Sequence, residues 1–360
     1  MVLNTNKQKV LVAMSGGVDS SVAALLMKKK GYEVVGAFMK NWSHDKHGMG
    51  KCTWREERKM AMKIASKLQI PLITFDFEKE YEKQVVQEMF KDYKLGITPN
   101  PDVVCNEKIK FPLLLQAAKK LNADYLVTGH YARMKNNKFL RGKDESKDQS
   151  YFLYRLNKKE LDKTLFPIGD YTKKQIREIA KKNNFPNYDK KSTVGICFIG
   201  KINLKKFLQK KIKPKKGKIL DPKGNIIGEH DGIYYYTIGQ RLGPRYGFEI
   251  KRGKERQQRW YVAQKDAKKN IIVAAPQNHP LNFRKEMQIK DPHWISGEPK
   301  TGKVYSRIRQ VGELLPSKLT KNKNRYKITL NQAITGVSRG QAIVLYKGRK
   351  VLGGGVISFT

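Results

Sequence analysis

Cysteine is scarce in this chain: Cys52, Cys105 and Cys197 are the only three among 360 residues, and no two form a CxxC pair. That argues against a disulfide scaffold and gives no sign of a structural zinc site, so a cysteine that matters here should matter as a reduced, reactive thiol. Long apolar runs are missing too. No stretch reaches the ~18 residues that a membrane-spanning helix needs, and the opening MVLNTNKQK lacks the apolar core of a signal peptide. A soluble, cytoplasmic protein with no membrane partner is expected. Acidic residues are few: 32 Asp and Glu stand against 74 Lys and Arg, a formal charge of +42. That excess is more than solubility requires and points to a polyanionic partner, nucleic acid first. Lysines spread through a Lys- and Asn-rich chain are also what a merely solvated surface would show.

What is present begins with an alternation. Apolar runs VLVAM (10–14), EVVGAFM (33–39), PLITFDF (71–77) and DYLVTGH (124–130) are separated by SSVAALLMKKK, REERKMAMKIASKL and KFPLLLQAAKKL, whose apolar residues recur at three- and four-residue spacing. The order predicts parallel strands joined by crossover helices, an α/β doubly wound parallel sheet. Ligands of such sheets lie beyond the carboxyl ends of the strands, where the loop after Met14, Met39 and Gly129-His130 would emerge. Another helix, YTKKQIREIAKKNN, follows the turn FPIGD and leads to STVGICFIG. Past residue 200 the texture changes to a dense basic run, KKFLQKKIKPKKGK (205–218), and then to β-branched runs such as KVYSRIRQ, YKITL and QAIVLYKG broken by turn residues. Three domains are expected: a catalytic domain over 1–203, a basic linking domain over 204–283 and an all-β, barrel-like domain over 284–360. No internal repeat is visible.

The segment SGGVDS (15–20) sits directly between the first strand and the first helix. Exposed backbone N–H groups and the positive end of the helix dipole therefore face one point, an anion cradle. The glycines let the backbone approach phosphate oxygens, and the hydroxyls of Ser15, Ser20 and Ser21 add donors. The loop lacks the lysine and spacing of GxxxxGK(S/T), the arrangement suited to γ-phosphoryl transfer. SGGVDS resembles the pyrophosphate-binding loop of the PP-loop ATP pyrophosphatase superfamily. The resemblance implies an adenine nucleotide alpha hydrolase-like fold and an enzyme that cleaves ATP between the α and β phosphates to adenylate an oxygen.

The thiols narrow the choice within that superfamily. Cys105 lies in TPNPDVVCNEKIKF, where two prolines hold a loop ahead of a helix that Asn106 would cap, and a thiol near a helix N-terminus has its thiolate favoured. Cys197 lies in STVGICFIGK, between glycines and near Lys190, Lys191 and Lys201. Taken singly, each could be a small buried hydrophobe. Both segments resemble one family, the bacterial-type tRNA-specific 2-thiouridylases, as do GHYAR (129–133), KDQSYFLY (147–154), FPIGDYTKKQIR (166–177), GEHDGIYYYTIGQRLG (228–243), WYVAQKD (260–266), GQAIVLY and LGGGVI, in family order. That likeness covers essentially the whole chain.

It implies a transferase that replaces the C2 oxygen of the wobble uridine with sulfur. ATP with Mg²⁺ would be used, and Ala13, Met14, Ser15, Gly16, Gly17, Val18, Asp19, Ser20, Met39 and Gly129 would hold the nucleotide. Asn100, Pro101 and Asp102 would face the target base; Cys197 would carry a persulfide and Cys105 would be its partner nucleophile. His130, Lys147, Asp148, Gln149, Arg307, Ile308 and Gln341 fall where the family contacts tRNA. The implied partners are tRNAs reading Lys, Glu and Gln codons, and a cysteine desulfurase or sulfur-relay protein as donor. Asp102, in the loop carrying Cys105, is a candidate acid or base for the N3 proton. Cys52 is read as structural.

Rival readings rest on particular residues. His44, His47 and Cys52 in HDKHGMGKC suggest a metal site, although the lysines and glycines among them favour a solvated loop, and no metal ligands are assigned. Three cysteines would suffice for an iron–sulfur cluster with one open iron. A basic RNA-binding module with a vestigial nucleotide loop, and a PP-loop ligase that amidates its substrate, complete the set.

Overall fold

The computed structural model describes residues 7–43, 53–191, 203–243, 259–310 and 312–359. In chain order its first half contains β1 (Lys9–Ala13), β2 (Glu33–Lys40), β3 (Leu72–Asp76), β4 (Tyr125–Val127), a hairpin of β5 (Ala132–Lys135) and β6 (Lys138–Arg141), and β7 (Thr164–Leu165). Five of these form a wholly parallel sheet in the order β3-β2-β1-β4-β7. Both faces are covered. Val10 and Val12 pack with Val22 of α1 (Val18–Lys29), Ile64 of α2 (Thr53–Lys67) and Ile176 of the helix Lys173–Lys182. Leu11 packs on the other side with Tyr81, Phe111 and Leu114. A strand buried on both faces reads as an unbroken apolar run, which is why VLVAM shows no alternation.

The chain runs outward from β1 to β3 and then returns to place β4 on the other side of β1. The order therefore reverses between β1 and β4, and the segments leaving these two strands flank a crevice at the switch point. The expected strand over 124–130 is shorter than its apolar run: pairing ends at Val127, and Thr128 to His130 turn away toward the start of α1.

The basic run begins with the helix Leu204–Gln209 and is followed by β8 (Gly217–Leu220), β9 (Ile226–His230), β10 (Arg241–Leu242), β11 (Trp260–Asp266) and β12 (Ile271–Pro276), in the order β10-β11-β12-β8-β9. The last part holds β13 (Phe283–Trp294), β14 (Gly302–Arg307), β15 (Leu315–Asn322), β16 (Arg325–Thr335), β17 (Ala342–Lys347) and β18 (Lys350–Ser358). These pair antiparallel in sequence from β13 through β16, β15, β14 and β17 to β18, and β18 pairs back with β13, closing a barrel around Met287, Leu319, Ile328, Ile343 and Leu345. The hairpin β5–β6 from the first half joins β18 through Lys350 and Leu140, so a strand pair bridges the parallel-sheet domain and the barrel.

Candidate active site

The SGGVDS loop is wired internally and to its surroundings. Ser15 N donates to Ser20 Oγ at 3.2 Å, while the Ser20 and Ser21 hydroxyls donate to the Gly17 carbonyl at 3.0 and 2.9 Å. Gly17, the N-cap of α1, accepts with no side chain, so the first amides of a 12-residue helix have no side-chain cap. Gly16 has φ of +73°, and a Cβ there would lie 2.3 Å from the Glu57 carbonyl oxygen. Its glycine is thus required twice, by backbone conformation and by space.

Gly129 closes the other wall. A Cβ on it would lie 2.7 Å from Ser20 N and 2.9 Å from Ser20 Cα, so the turn after β4 lies directly against the start of α1. The next residues continue the connection. His130 is buried, its Nδ1 2.8 Å from Thr128 Oγ1 and its Nε2 3.4 Å from Lys110 Nζ, with its ring stacked on Phe111. Burial, helped by the Lys110 charge, pushes the imidazole well below its usual value, so it is neutral at pH 7. Tyr131 donates its hydroxyl to Asp19 Oδ1 at 2.8 Å, and its amide is bonded to Gln149 Oε1. Met14 and Met39, at the ends of β1 and β2, are both buried.

Lys110 belongs to the helical segment 101–120 that carries Cys105. This segment starts at Pro101, and it is Asn100, not Asn106, that caps it, Asn100 Oδ1 accepting from Val103 N at 3.3 Å. Asn106 lies one position past Cys105 inside the continuing helix, where its Nδ2 donates to the Phe152 carbonyl. The expected loop before the helix therefore ends at Asn100. Cys105 is the last residue of the first α-helical stretch, without solvent exposure, and Asp102 is half-buried in the first turn.

The barrel holds this helix start in place. Gln341 Nε2 donates to the carbonyls of Thr98 and Pro99 at 3.1 and 2.8 Å, and Asn100 Nδ2 donates to the Tyr151 hydroxyl, which in turn donates to the Ala342 carbonyl. Asp148 is enclosed at the same seam, accepting from Arg141 Nε, Arg307 NH1, Ser150 Oγ and the Gly142 amide. Arg307 and Ile308 are buried beside it, whereas Lys147 is exposed. Cys52, Cys197, His44 and His47 lie outside the described residues. Among the described residues no group of three or more His, Cys, Asp or Glu could hold a metal ion, and no helix is long and apolar enough to cross a membrane.

Sequence reading missed four residues that touch the loop. Lys173 Nζ pairs with both Asp19 oxygens at 2.6 and 2.7 Å, and Tyr131 shares that carboxylate. Asn187, which is buried, bonds the Gly16 carbonyl and Ser21 Oγ, and Lys190 Nζ lies 3.4 Å from the same carbonyl. Their only sequence signals were position inside GHYAR for Tyr131, inside FPIGDYTKKQIR for Lys173 and just before the Cys197 segment for Asn187 and Lys190, and nothing in a linear chain ties any of them to residues 16–21.

Three family models cover the chain: the tRNA methyl transferase HUP domain over residues 8–201, the tRNA methyl transferase PRC-barrel domain over 205–276 and the aminomethyltransferase beta-barrel domain over 284–357. The tRNA-specific 2-thiouridylase MnmA of Coxiella burnetii (strain Dugway 5J108-111) is 42% identical over 360 residues, covering 98% of each chain. The protein of the same description from Nitrosomonas eutropha is 43% identical, over 98% of this chain and 99% of its own. A solved 4-thiouridine synthetase–RNA complex with bound ATP is similar at 16% identity, over 51% of this chain and 43% of that one, with a TM-score of 0.38, too loose to carry an argument. The full-length matches at this identity decide the matter: the chain belongs to the family of the tRNA-specific 2-thiouridylases MnmA.

Proposed function

We propose that the protein is an ATP-dependent tRNA sulfurtransferase that converts the wobble uridine to 2-thiouridine, releasing AMP and pyrophosphate. One observation carries the reading: the uncapped SGGVDS loop at the sheet's switch point is packed on Gly129, and the following residue, His130, contacts the helical segment bearing Cys105. The relatives' description adds the substrate. The family models' descriptions speak of methyl transfer, but a methyl donor would have no use for a pyrophosphate loop and two thiols.

The chemistry sets what the residues must do. The C2 carbonyl of uridine is urea-like, a poor electrophile with a poor leaving group, so its oxygen must first be adenylated. The loop amides and the α1 dipole hold the phosphates where negative charge develops. A magnesium ion would come on the nucleotide's phosphates, where Asp19, the carboxylate of the loop, would help hold it. That ion would neutralise phosphate charge. Asp102 accepts the N3 proton of a uridine turned out of its stack, which an anticodon loop permits because its bases are unpaired. The terminal sulfur of a Cys197 persulfide then attacks C2 and AMP departs. Cys105 attacks the Cys197 sulfur, leaving thiouridine and a Cys105–Cys197 disulfide. In the alternative order Cys105 first expels hydrosulfide, which attacks C2. Either order ends in the same disulfide, which a thiol reductant must reopen before a cysteine desulfurase or a relay protein reloads Cys197. Asn100 and Pro101 flank the base. Lys147 and Gln149 would face the tRNA; His130, buried beside Lys110, and Gln341, Asp148, Arg307 and Ile308, at the barrel seam, would shape the surface it meets. The tRNA set is that reading Lys, Glu and Gln codons.

Nucleoside mass spectrometry on unmodified tRNA, incubated with Mg-ATP and a desulfurase with cysteine, tests this. Formation of 2-thiouridine with AMP, in air and without oxygen, and its loss in Cys197→Ser, is the expected result. Activity confined to anaerobic conditions would replace the persulfide by an iron–sulfur cluster, and AMP without thiolation would overturn the substrate.

A further inference from the structure

The SGGVDS loop contains a carboxylate and no cation, yet the group it is read as holding leaves with three to four negative charges. A helix N-terminus supplies roughly half a positive charge. The remaining compensation has to come from other segments, and the structure shows which ones approach. Lys173 reaches the Asp19 carboxylate at 2.6 Å with its side chain only 12% exposed. Arg177, one turn further along the helix Lys173–Lys182, shares that face: among the described residues its Nε is buried with no hydrogen-bond partner, and its guanidinium bonds the Lys190 carbonyl at 3.5 Å. Its charge is also felt at Tyr131, the other partner of Asp19. Lys190 brings a third cation to the Gly16 carbonyl. Nearby, burial raises the Glu57 carboxyl above its usual value, against the pull of the Lys190 charge.

The same helix face opens on a groove of about 440 Å³ in which Lys173, Lys174, Arg177 and Lys181, with Tyr188, outnumber the carboxylates Glu178 and Asp189. Lys173 thus borders both the loop and an electropositive groove beside it. A buried guanidinium nitrogen without a partner is costly unless a ligand completes it, and the fork geometry of arginine suits phosphate.

We propose that Lys173 and Arg177 are the cations that receive the pyrophosphate leaving group, with Lys190 as the third member of the set. The inference rests on the reading of this loop as an ATP site. In the step concerned, the uridine C2 oxygen bonds to the α phosphorus, the bond from that phosphorus to the α,β-bridging oxygen breaks, its electron pair leaves on pyrophosphate, and the N3 proton passes to Asp102. Lys173, held by Asp19 before nucleotide arrives, turns part of its charge onto the departing oxygens. Arg177 completes its unused donors on them.

Competition titrations against a fluorescent ATP analogue test the assignment, using inorganic pyrophosphate, ATP and AMP on the wild type, Lys173→Met and Arg177→Ala. Arg177 makes no bond to the loop's own side chains, so its variant keeps the test meaningful if loss of Lys173 disturbs Asp19. Each substitution should weaken pyrophosphate and ATP by about tenfold or more, the scale of one charge-assisted hydrogen bond, and leave AMP within about twofold. Equal weakening of AMP and pyrophosphate would mean a structural role and overturn the proposal, as would unchanged pyrophosphate affinity in Arg177→Ala. A wild type that binds neither ATP nor pyrophosphate would instead overturn the nucleotide reading beneath it.

Discussion

Two neighbouring glycines should respond very differently to the same added methyl group. At Gly16 an alanine must adopt φ of +73° and place its Cβ 2.3 Å from the Glu57 carbonyl oxygen, a backbone atom that cannot rotate away. A left-handed conformation costs a non-glycine residue about 1–2 kcal/mol and overpacking another 1–3 kcal/mol, so the loss is about 2–5 kcal/mol. At Gly17 φ is −86° and the nearest atom to a new Cβ is the Ser15 hydroxyl at 3.3 Å, the end of a side chain that can turn. The cost there is that of alanine at an N-cap, about 1 kcal/mol. Thermal unfolding should separate the two: Gly16→Ala lowers the Tm of a domain this size by about 4–20 °C and Gly17→Ala by about 2–4 °C. ATP affinity should follow the same order, because pushing residue 16 away from α2 moves the amides that face the phosphates. If the two variants melted together and bound ATP alike, contact with Glu57 would not be what reserves position 16 for glycine, and the loop would not be the rigid cradle described.

Two further outcomes follow from charge. Lys210, Lys211, Lys213, Lys215 and Lys216 are all exposed; neutralising them together should weaken tRNA binding and lower the slope of log affinity against log salt by about 0.7–0.9 for each phosphate no longer neutralised, and an unchanged affinity and slope would refute the assignment. His130 is depressed by burial, so below about pH 6.5 the unfolded chain takes up a proton that the folded residue refuses; its contribution to stability is present above that pH and falls, by up to about 1.4 kcal/mol per pH unit, as pH drops toward the folded value. His230, lowered mainly by its own burial, adds a parallel slope, so the measurement is the stability difference between wild type and His130→Gln across about pH 7.5 to 5.5, and a difference that does not change with pH would count against a neutral, buried imidazole.

How much of this was legible in the chain depends on how far apart the interacting residues lie. The parallel sheet and the helices Val18–Lys29, Thr53–Lys67 and Phe111–Lys120 follow from local periodicity, since Val10 to Met14 and the helical runs carry their pattern within about fifteen residues, whereas the helical run 78–94 went unread. The phosphate loop was legible for the same reason: strand, glycines and helix are contiguous. The cap at Asn100 was misread because two prolines suggested a loop, yet Pro101 stands at the first helical position, where its missing N–H is no loss and its fixed φ favours the helix. The hairpin β5–β6 went unseen for a different cause. Its four-residue strands are short, and its pairing partner, β18, lies some two hundred residues on.

The residues hardest to read are those that join domains, and they constrain how the site works. Tyr151 takes the Asn100 amide and passes a bond to Ala342, while Gln341 grips two successive carbonyls, Thr98 and Pro99, across a separation of more than two hundred residues. Five residues separate the last of those carbonyls from Cys105, four of them in the helix that carries it. The barrel thus fixes the start of the thiol-bearing helix, while Gly129 and Lys110 fix its relation to the phosphate loop through His130. Asp148 makes this seam hard to slide: it is fully enclosed and compensated by two arginines, one from each domain, so separating the domains would leave a buried carboxylate short of its partner. The barrel cannot shift without breaking the Gln341 bonds to Thr98 and Pro99 and the Tyr151 bond to Ala342, so any displacement of the barrel is felt in the residues just ahead of the helix on which Cys105 rides.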